Sequence, residues 1–434
     1  MTRFRSRWYA GSTARLNRRR FLINASIGLL GFSSRLGAQS YSSATFQERR
    51  LIVVESAING ELEQRLNSAA AGDRILLKSG LYDVEKLVVR APSVSIENLP
   101  GHAPEIRFNA PSEYSLLVSE SAQNIILQGL ILSRTADGPG NIIGLGGHHA
   151  CLRRCRIAFD ASQAPKKYDC VKILANHILI EDCEIYGAPN QGIDAVGQAH
   201  LVFRRNLVHG CANAIVVKGG SRHVLIEENY CRDLRHGAIG VGGTTDPRWH
   251  NRSNTPAEAE DVLVARNVIE YERALGIGGG IFLMGARSTR VYHNTIIGAG
   301  IHVRSGGDPA RLEKKSANNR IDNNIVFSTG NDGILVIDED NDAELRVRNN
   351  LYWRTATATG EFKLHGSWMG YSRFRTSAPF NQDSIFADPL FKDMRTRDYR
   401  LRPGSPAAAA GRAENGLRNG TNIGALPIAR EDNA

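Results

Sequence analysis

Lys172, Asp194, Lys218, His302 and Arg304 each interrupt a short run of Ile, Val and Ala whose residues two apart are apolar. Alternation along a strand sends those apolar partners inward and leaves the five side chains on one outer surface. A one-residue slip would put Lys172, Asp194, Lys218 and Arg304 into the core together, which their charge forbids. Two ammonium groups, a guanidinium, an imidazole and a carboxylate are the parts needed to remove a proton beside a carboxylate. A base takes the proton while cations, or a bound Ca²⁺, neutralise the developing charge. Lys218 can be the general base, a cation that holds the substrate, or a solvated lysine beside Gly219-Gly220. Arg304 and His302 are the other catalytic candidates. Lys172, Asp194 and Asp169 are candidate binding residues, Asp194 being either a Ca²⁺ or substrate ligand or the ion-pair partner of a lysine.

A repeat must align them. A short β-type run, then Asn, then another short run recurs at 202–208, 225–231, 263–269, 291–296, 321–326 and 347–352, and Cys155 and Cys183 hold the Asn place in earlier copies. The intervals from Cys155 are 28, 23, 23, 38, 27, 30 and 26 residues, so the basic unit is 23 residues with insertions. Upstream of each Asn lies a second run entered by Gly or Ala, as in Gly300-Ile301-His302-Val303-Arg304. Self-similarity at this period, without a Leu-x-x-Leu-x-Leu consensus or a 3.6-residue apolar period, points to a solenoid of two or three short strands per turn. Coils about 4.8 Å apart would let one Asn per coil bond its neighbours up the stack while tolerating the left-handed bend between strands. The outward columns then read Lys172, Asp194, Val216, Gly240, Phe282, His302, Leu335 and, two residues along, Leu174, Val196, Lys218, Gly242, Met284, Arg304, Ile337.

With these repeats the chain resembles the right-handed parallel β-helix proteins of the pectate lyase, chondroitinase B and alginate lyase type, over about residues 50 to 411. Residues 61–71, followed by Gly72-Asp73-Arg74-Ile75-Leu76-Leu77, look like the short capping helix and first coil of that group, and 387–406 like its bacterial ending. The resemblance implies an all-β, right-handed single-stranded parallel β-helix with an N-terminal helical cap. It further implies action on an acidic, uronate-containing polysaccharide, as a lyase working by β-elimination. Val217-Lys218-Gly219-Gly220-Ser221 resembles the lysine position of the chondroitinase B and alginate lyase group. Where those proteins place an Arg one coil later, this chain has Gly242, and Arg304 lies three coils on, about 14 Å away.

The insertions 244–261, with Arg248-Trp249-His250, and 305–319, with Arg311, Lys314 and Lys315, would wall a groove along the stacked face. Arg248, Trp249 and His250 are therefore candidate substrate contacts, and the ring of Trp249 or Tyr271 is available to lie against a sugar. Two other readings stay open. A hydrolase of the same fold would need Asp169 and Asp194 paired across the groove, and a non-catalytic carbohydrate-binding or surface-structural β-helix fits the uncharged middle of both columns. The run 338–342 lacks the glycine and spacing of a Ca²⁺ loop and reads as a solvated turn.

The chain has 434 residues, 42% apolar and 23% charged, with 43 Gly against 15 Pro, which excludes disordered, fibrous and polytopic classes. Its formal charge of +10 falls to +2 without the first 38 residues, which hold eight arginines and no acid, so a global electrostatic case for nucleic acid fails. Those residues, with Arg18-Arg19-Arg20-Phe21-Leu22 before a short apolar run, resemble a twin-arginine signal peptide. The expected organisation is a signal at 1–38, a β-helix at 39–411 and a tail at 412–434. The mature chain is expected in the periplasm or secreted, without a membrane span. Cys151, Cys155, Cys170, Cys183, Cys211 and Cys231 could pair in an oxidising compartment or stay buried thiols.

Overall fold

A computed structural model describes residues 50–55, 60–135, 138–160, 167–250, 255–271, 279–308, 312–329, 333–355, 361–413 and 420–426. The signal-like segment and Arg311 lie outside them. Three long sheets, of 12, 14 and 12 strands, run the length of the molecule. Each coil contributes in turn to the first sheet (as Gln191–Val196), the second (Ala199–Arg204) and the third (Leu207–His209). Neighbouring coils pair in parallel and in register, so the chain is the all-β solenoid expected.

Alternation explains why these segments are strands. Ile193, Ala195, Ile215 and Val217 are fully buried inside the coil, where they join one continuous apolar core from Val54 to Ala378. The 23-residue repeat alone does not seal the ends. At one, the helix Glu61–Asn67 lays Leu62 and Leu66, four residues apart, against the core beside Leu87–Val89. At the other, the unanticipated helix Tyr371–Ser377 buries Phe374, whose ring stacks on Phe362 at 4.6 Å. A second apolar cluster lies outside the coil. Phe391, Tyr399, Leu401 and Ile423 of the C-terminal segment cover Val268, Ile297, Ile325 and Phe327 of the third sheet.

The asparagines form a buried ladder between the second and third sheets. The backbone N–H of Cys183 donates to Asn206 Oδ1 at 3.0 Å, Asn206 to Asn229 at 3.0 Å, Asn229 to Asn267, Asn267 to Asn294, Asn294 to Asn324 and Asn324 to Asn350, each at 2.9 Å. The left-handed bend does not fall on these residues as expected. It falls one residue earlier, on Asp182, Arg205, Glu228, Arg266, His293, Asn323 and Asn349, with φ between 49° and 58°. The Asn amide reaches back to the backbone of the coil below, and the residue before it turns the chain. The last coil also corrects the outward columns. Val336, not Leu335, pairs with His302, and Leu335 and Ile337 point inward, because an extra residue separates Gly333 from the strand Leu335–Ile337.

All six cysteines are buried free thiols. Cys183 Sγ takes the acceptor role of an Asn for the Cys155 N–H at 3.5 Å, so the ladder continues downward in sulfur. Where the chain enters the second sheet, His149, His177, His200 and His223 share left-handed φ and stack ring on ring at 4.5, 4.6 and 4.9 Å. Around them lie His148, Arg222 and Asp261, which bonds His223 Nδ1 at 2.8 Å. Burial, followed by the neighbouring imidazoles, lowers the pKa of His177; burial, followed by His223 and Arg222, lowers that of His200.

Two outcomes follow from these ladders. Asn267→Ala leaves the buried Asn229 N–H without its acceptor and is expected to cost roughly 2–4 kcal/mol, read as a lower urea midpoint at unchanged slope. Because the unfolded chain binds more protons at His177 and His200, their stabilising contribution is held above about pH 6.5 and lost as pH falls. The thermal midpoint of the wild type should therefore drop more between pH 7 and 5 than that of His177→Asn/His200→Asn, Asn being tolerant of the left-handed backbone.

Candidate functional site

The outer face of the first sheet carries one in-register column: Leu117, Gly144, Lys172, Asp194, Val216, Gly240, Phe282, His302 and Val336. Its charged part is compact. Lys172 Nζ forms a short ion pair with Asp194 Oδ2 and lies 3.7 Å from Asp169 Oδ2, while Lys218 Nζ approaches Asp194 Oδ1 at 3.8 Å. Asp194 Oδ1 accepts no hydrogen bond from the described residues. Asp169 is held from behind, accepting from Asn190 Nδ2 and the Gln191 N–H at 2.9 Å each. One coil below, Gly144 is bare because a Cβ would come within 2.6 Å of the Tyr114 ring, which completes the cluster beside Lys172.

The charges are ordered in depth. Asp169 and Asp194 are each 2% exposed, whereas the side chains of Lys172 and Lys218 are 23% and 24% exposed above them. Burial, reinforced by the Asp194 carboxylate, pushes the Asp169 carboxyl up to about 7. Burial works against the Lys172 ammonium, but Asp194 and Asp169 outweigh it and raise its pKa above the ordinary lysine value. Burial also raises the Tyr114 hydroxyl.

The wall beside Lys218 rests on a second buried group. Glu258, fully buried, accepts from the Gly219 N–H at 3.2 Å, Thr245 Oγ1 at 2.5 Å and His250 Nε2 at 3.0 Å, with Lys314 Nζ at 3.6 Å. Burial alone would raise this carboxyl; the bonds from His250, Thr245 and Gly219 outweigh it and leave it below the usual range. Lys314 also contacts His250 Nε2, and burial lowers its pKa. Gly219 has φ 64° and Gly220 lies against the His250 ring, where a Cβ would approach to 3.2 Å. The two insertions thus clamp the turn that ends the Lys218 strand.

The structure brings Lys172, Asp194, Lys218 and Asp169 together. Arg304 and His302 stand apart, on a strand three coils beyond the one that carries Val216 and Lys218. Arg304 faces Asp338 at 3.4 Å, and Asp338 is shared with Lys363 at 3.2 Å, so the acidic run is tied into ion pairs at its start. His302 is 6% exposed, and burial pushes it down to about 4. Trp249 is 68% exposed on the insertion, Arg248 pairs with Asp246 at 2.7 Å, and His250 points inward to Glu258. Tyr271 is not available to a sugar: it is buried, and its hydroxyl donates to the His236 carbonyl at 3.1 Å. Tyr114 and Glu258 escaped sequence reasoning, since neither sits in a repeat position that marks it as facing Lys172 or Gly219.

Among the described residues no three His, Cys, Asp or Glu side chains gather for a metal. Ca²⁺ wants six to eight oxygens, and here two carboxylates converge on an ammonium group, so this donor set does not fit it. No helix of the described residues is long and apolar enough to cross a membrane.

A family described as the right handed beta helix region matches residues 251–360, which gives the winding its hand. The uncharacterized protein YwoF of Bacillus subtilis (strain 168) is 26% identical over 227 residues, 50% of this chain and 40% of that protein, so the chain spans less than half of its length. Among solved structures, pectate lyase Pel9A superposes with a TM-score of 0.50 at 13% identity, covering 89% of this chain and 98% of that one. The A-module of the Azotobacter vinelandii mannuronan C-5 epimerase AlgE6 gives 0.49 at 12%, covering 77% and 97%. At 13% identity the likeness to pectate lyase Pel9A is one of fold.

The Asp169 shift has a testable sign. The folded chain holds a proton there that the unfolded chain loses near pH 4, so this contribution is present below about pH 4 and lost as pH rises toward 7. Asp169→Asn removes the titration, and the thermal midpoint of the wild type minus that of the variant should fall steadily from pH 4.5 to 7.5.

Proposed function

We propose that this β-helix acts on an acidic, uronate-containing polysaccharide laid along the outer face of its first sheet, cleaving it as a lyase by β-elimination. The observation that carries the reading is the layering of charge: carboxylates buried, lysines above them. A chain approaching this face meets ammonium groups first, which suits an anionic sugar. A hydrolase would need Asp169 and Asp194 to reach the glycosidic bond, and both lie beneath Lys172. With Asp169 protonated up to about pH 7, the acid layer beneath the lysines carries less negative charge to repel a uronate.

In this reading Lys172, kept charged by Asp194, neutralises the uronate carboxylate. Lys218, in its neutral form, takes the proton on the carbon beside it. The electron pair forms the carbon–carbon double bond, the bond to the bridging oxygen breaks, and the lysine returns its proton to that oxygen. Trp249, exposed on the wall, offers a flat ring to a sugar. The Arg18-Arg19-Arg20-Phe21-Leu22 segment supports export, to the periplasm or beyond, where such polymers are met.

A screen of uronate polymers tests this. Unsaturated, ultraviolet-absorbing products are expected from the wild type and at least a 100-fold lower rate from Lys218→Ala. Reducing ends without the chromophore would make the protein a hydrolase, retention without either product a binding protein, and an unchanged Lys218→Ala rate would remove Lys218 as the base.

A further inference from the structure

The outer face of the second sheet changes character along its length. In its first half one outward column, Arg153, Glu181, Arg204, Glu227, alternates in sign, and register turns that into ion pairs: Glu181 with Arg204 at 2.9 Å and with Arg153 at 3.9 Å. The column beside it is apolar there, running Leu179, Val202, Leu225, Leu263. Beyond Leu263 the same column becomes Arg290, Arg320, Arg346 on three consecutive coils, with Arg348 two residues along from Arg346.

Like charges directly opposite on neighbouring strands repel, and each step here is only about 4.8 Å. Arg290 is answered by Asp261 at 3.4 Å. Arg320, Arg346 and Arg348 have no ion pair or side-chain hydrogen bond to a described residue, and Arg348 Nε is buried without an acceptor. These three guanidinium groups line an open cavity of about 450 Å³, together with the ring of Phe380 and the amides of Asn318 and Gln382. Glu344 is the cavity's one carboxylate, and it pairs with none of them.

We propose that this cavity is a second binding site for an acidic polysaccharide, separate from the Lys172–Lys218 cluster. Guanidinium forks take carboxylate or sulfate groups in bidentate fashion, and a ladder of them at about 5 Å steps follows a chain that carries repeated anions. Phe380 supplies an apolar surface for a sugar ring, and the two amides reach hydroxyls. The site faces outward from a different sheet and lies four coils, about 19 Å, along the axis from Lys218, so it holds polymer without touching the reacting bond. The choice of an acidic glycan rests on the function proposed above; the anion site itself does not.

The test is affinity electrophoresis of the full chain through gels containing polygalacturonate or alginate, in the Lys218→Ala background so that no cleavage intervenes. Arg320→Gln/Arg346→Gln is expected to weaken retardation at least 10-fold and to flatten its dependence on salt. Arg107→Gln/Arg156→Gln, the same charge change on the third sheet, should leave it within 2-fold. Unchanged urea midpoints check that both variants are folded. Equal losses in the two double variants would reduce the effect to net charge and overturn the site, as would no loss in the first or no retardation of the parent by either polymer. Absence of unsaturated products from the otherwise wild-type chain, with the arginine-dependent retardation intact, would sink the lyase reading alone and leave this site standing.

Discussion

Parallel register between successive coils is the constraint on which everything else rests. Three short strands per coil bury too little by themselves, and each becomes stable only when its backbone groups find the coil above and below. The asparagine ladder fixes that register from inside, since each amide answers a backbone donor of the coil beneath and a slip of one residue would strand a column of buried polar groups. The left-handed residue before each Asn is the local cost, repeated in every coil because the ladder offsets it.

Once register holds, outer faces become columns, and a column can be read for chemistry. On the first sheet the columns carry a cluster in which buried acids hold exposed bases. That arrangement fixes the lysines at the surface and sets Asp169 to titrate near neutrality. The clamp around Glu258 does the same for backbone: it pins the Gly219-Gly220 turn so that Lys218 leaves the strand in one direction. On the later coils of the third sheet the C-terminal segment covers the outer face with apolar side chains, while the earlier coils meet solvent with charge such as Arg107 and Arg156. The second sheet neutralises itself over its first coils and ceases to do so at Arg320.

Much of this was legible in the sequence. The Asn spacing and the alternating runs gave the solenoid and the direction of Lys172, Asp194 and Lys218, because period and polarity are local properties of a chain; the capping helix came from the resemblance of residues 61–77 to β-helix proteins. The chain also showed that Arg304 lies too far from Lys218 to share one sugar unit. What stayed hidden were matters of depth and of contact between insertions. Asp169 and Asp194 read as exposed acids and prove to be buried ones; Tyr271 read as an exposed ring and lies in the core.

The sequence by itself determined the winding, the coil length and which residues face out, since these follow from repetition and from the refusal of charge to enter an apolar interior. Only the tertiary structure decided which outward groups meet. Whether Lys172 reaches Asp169 as well as Asp194, whether His250 faces substrate or Glu258, and whether an arginine finds a carboxylate depend on side chains brought together from positions between 3 and 64 residues apart. Those distances are set by packing, and no pattern along the chain encodes them.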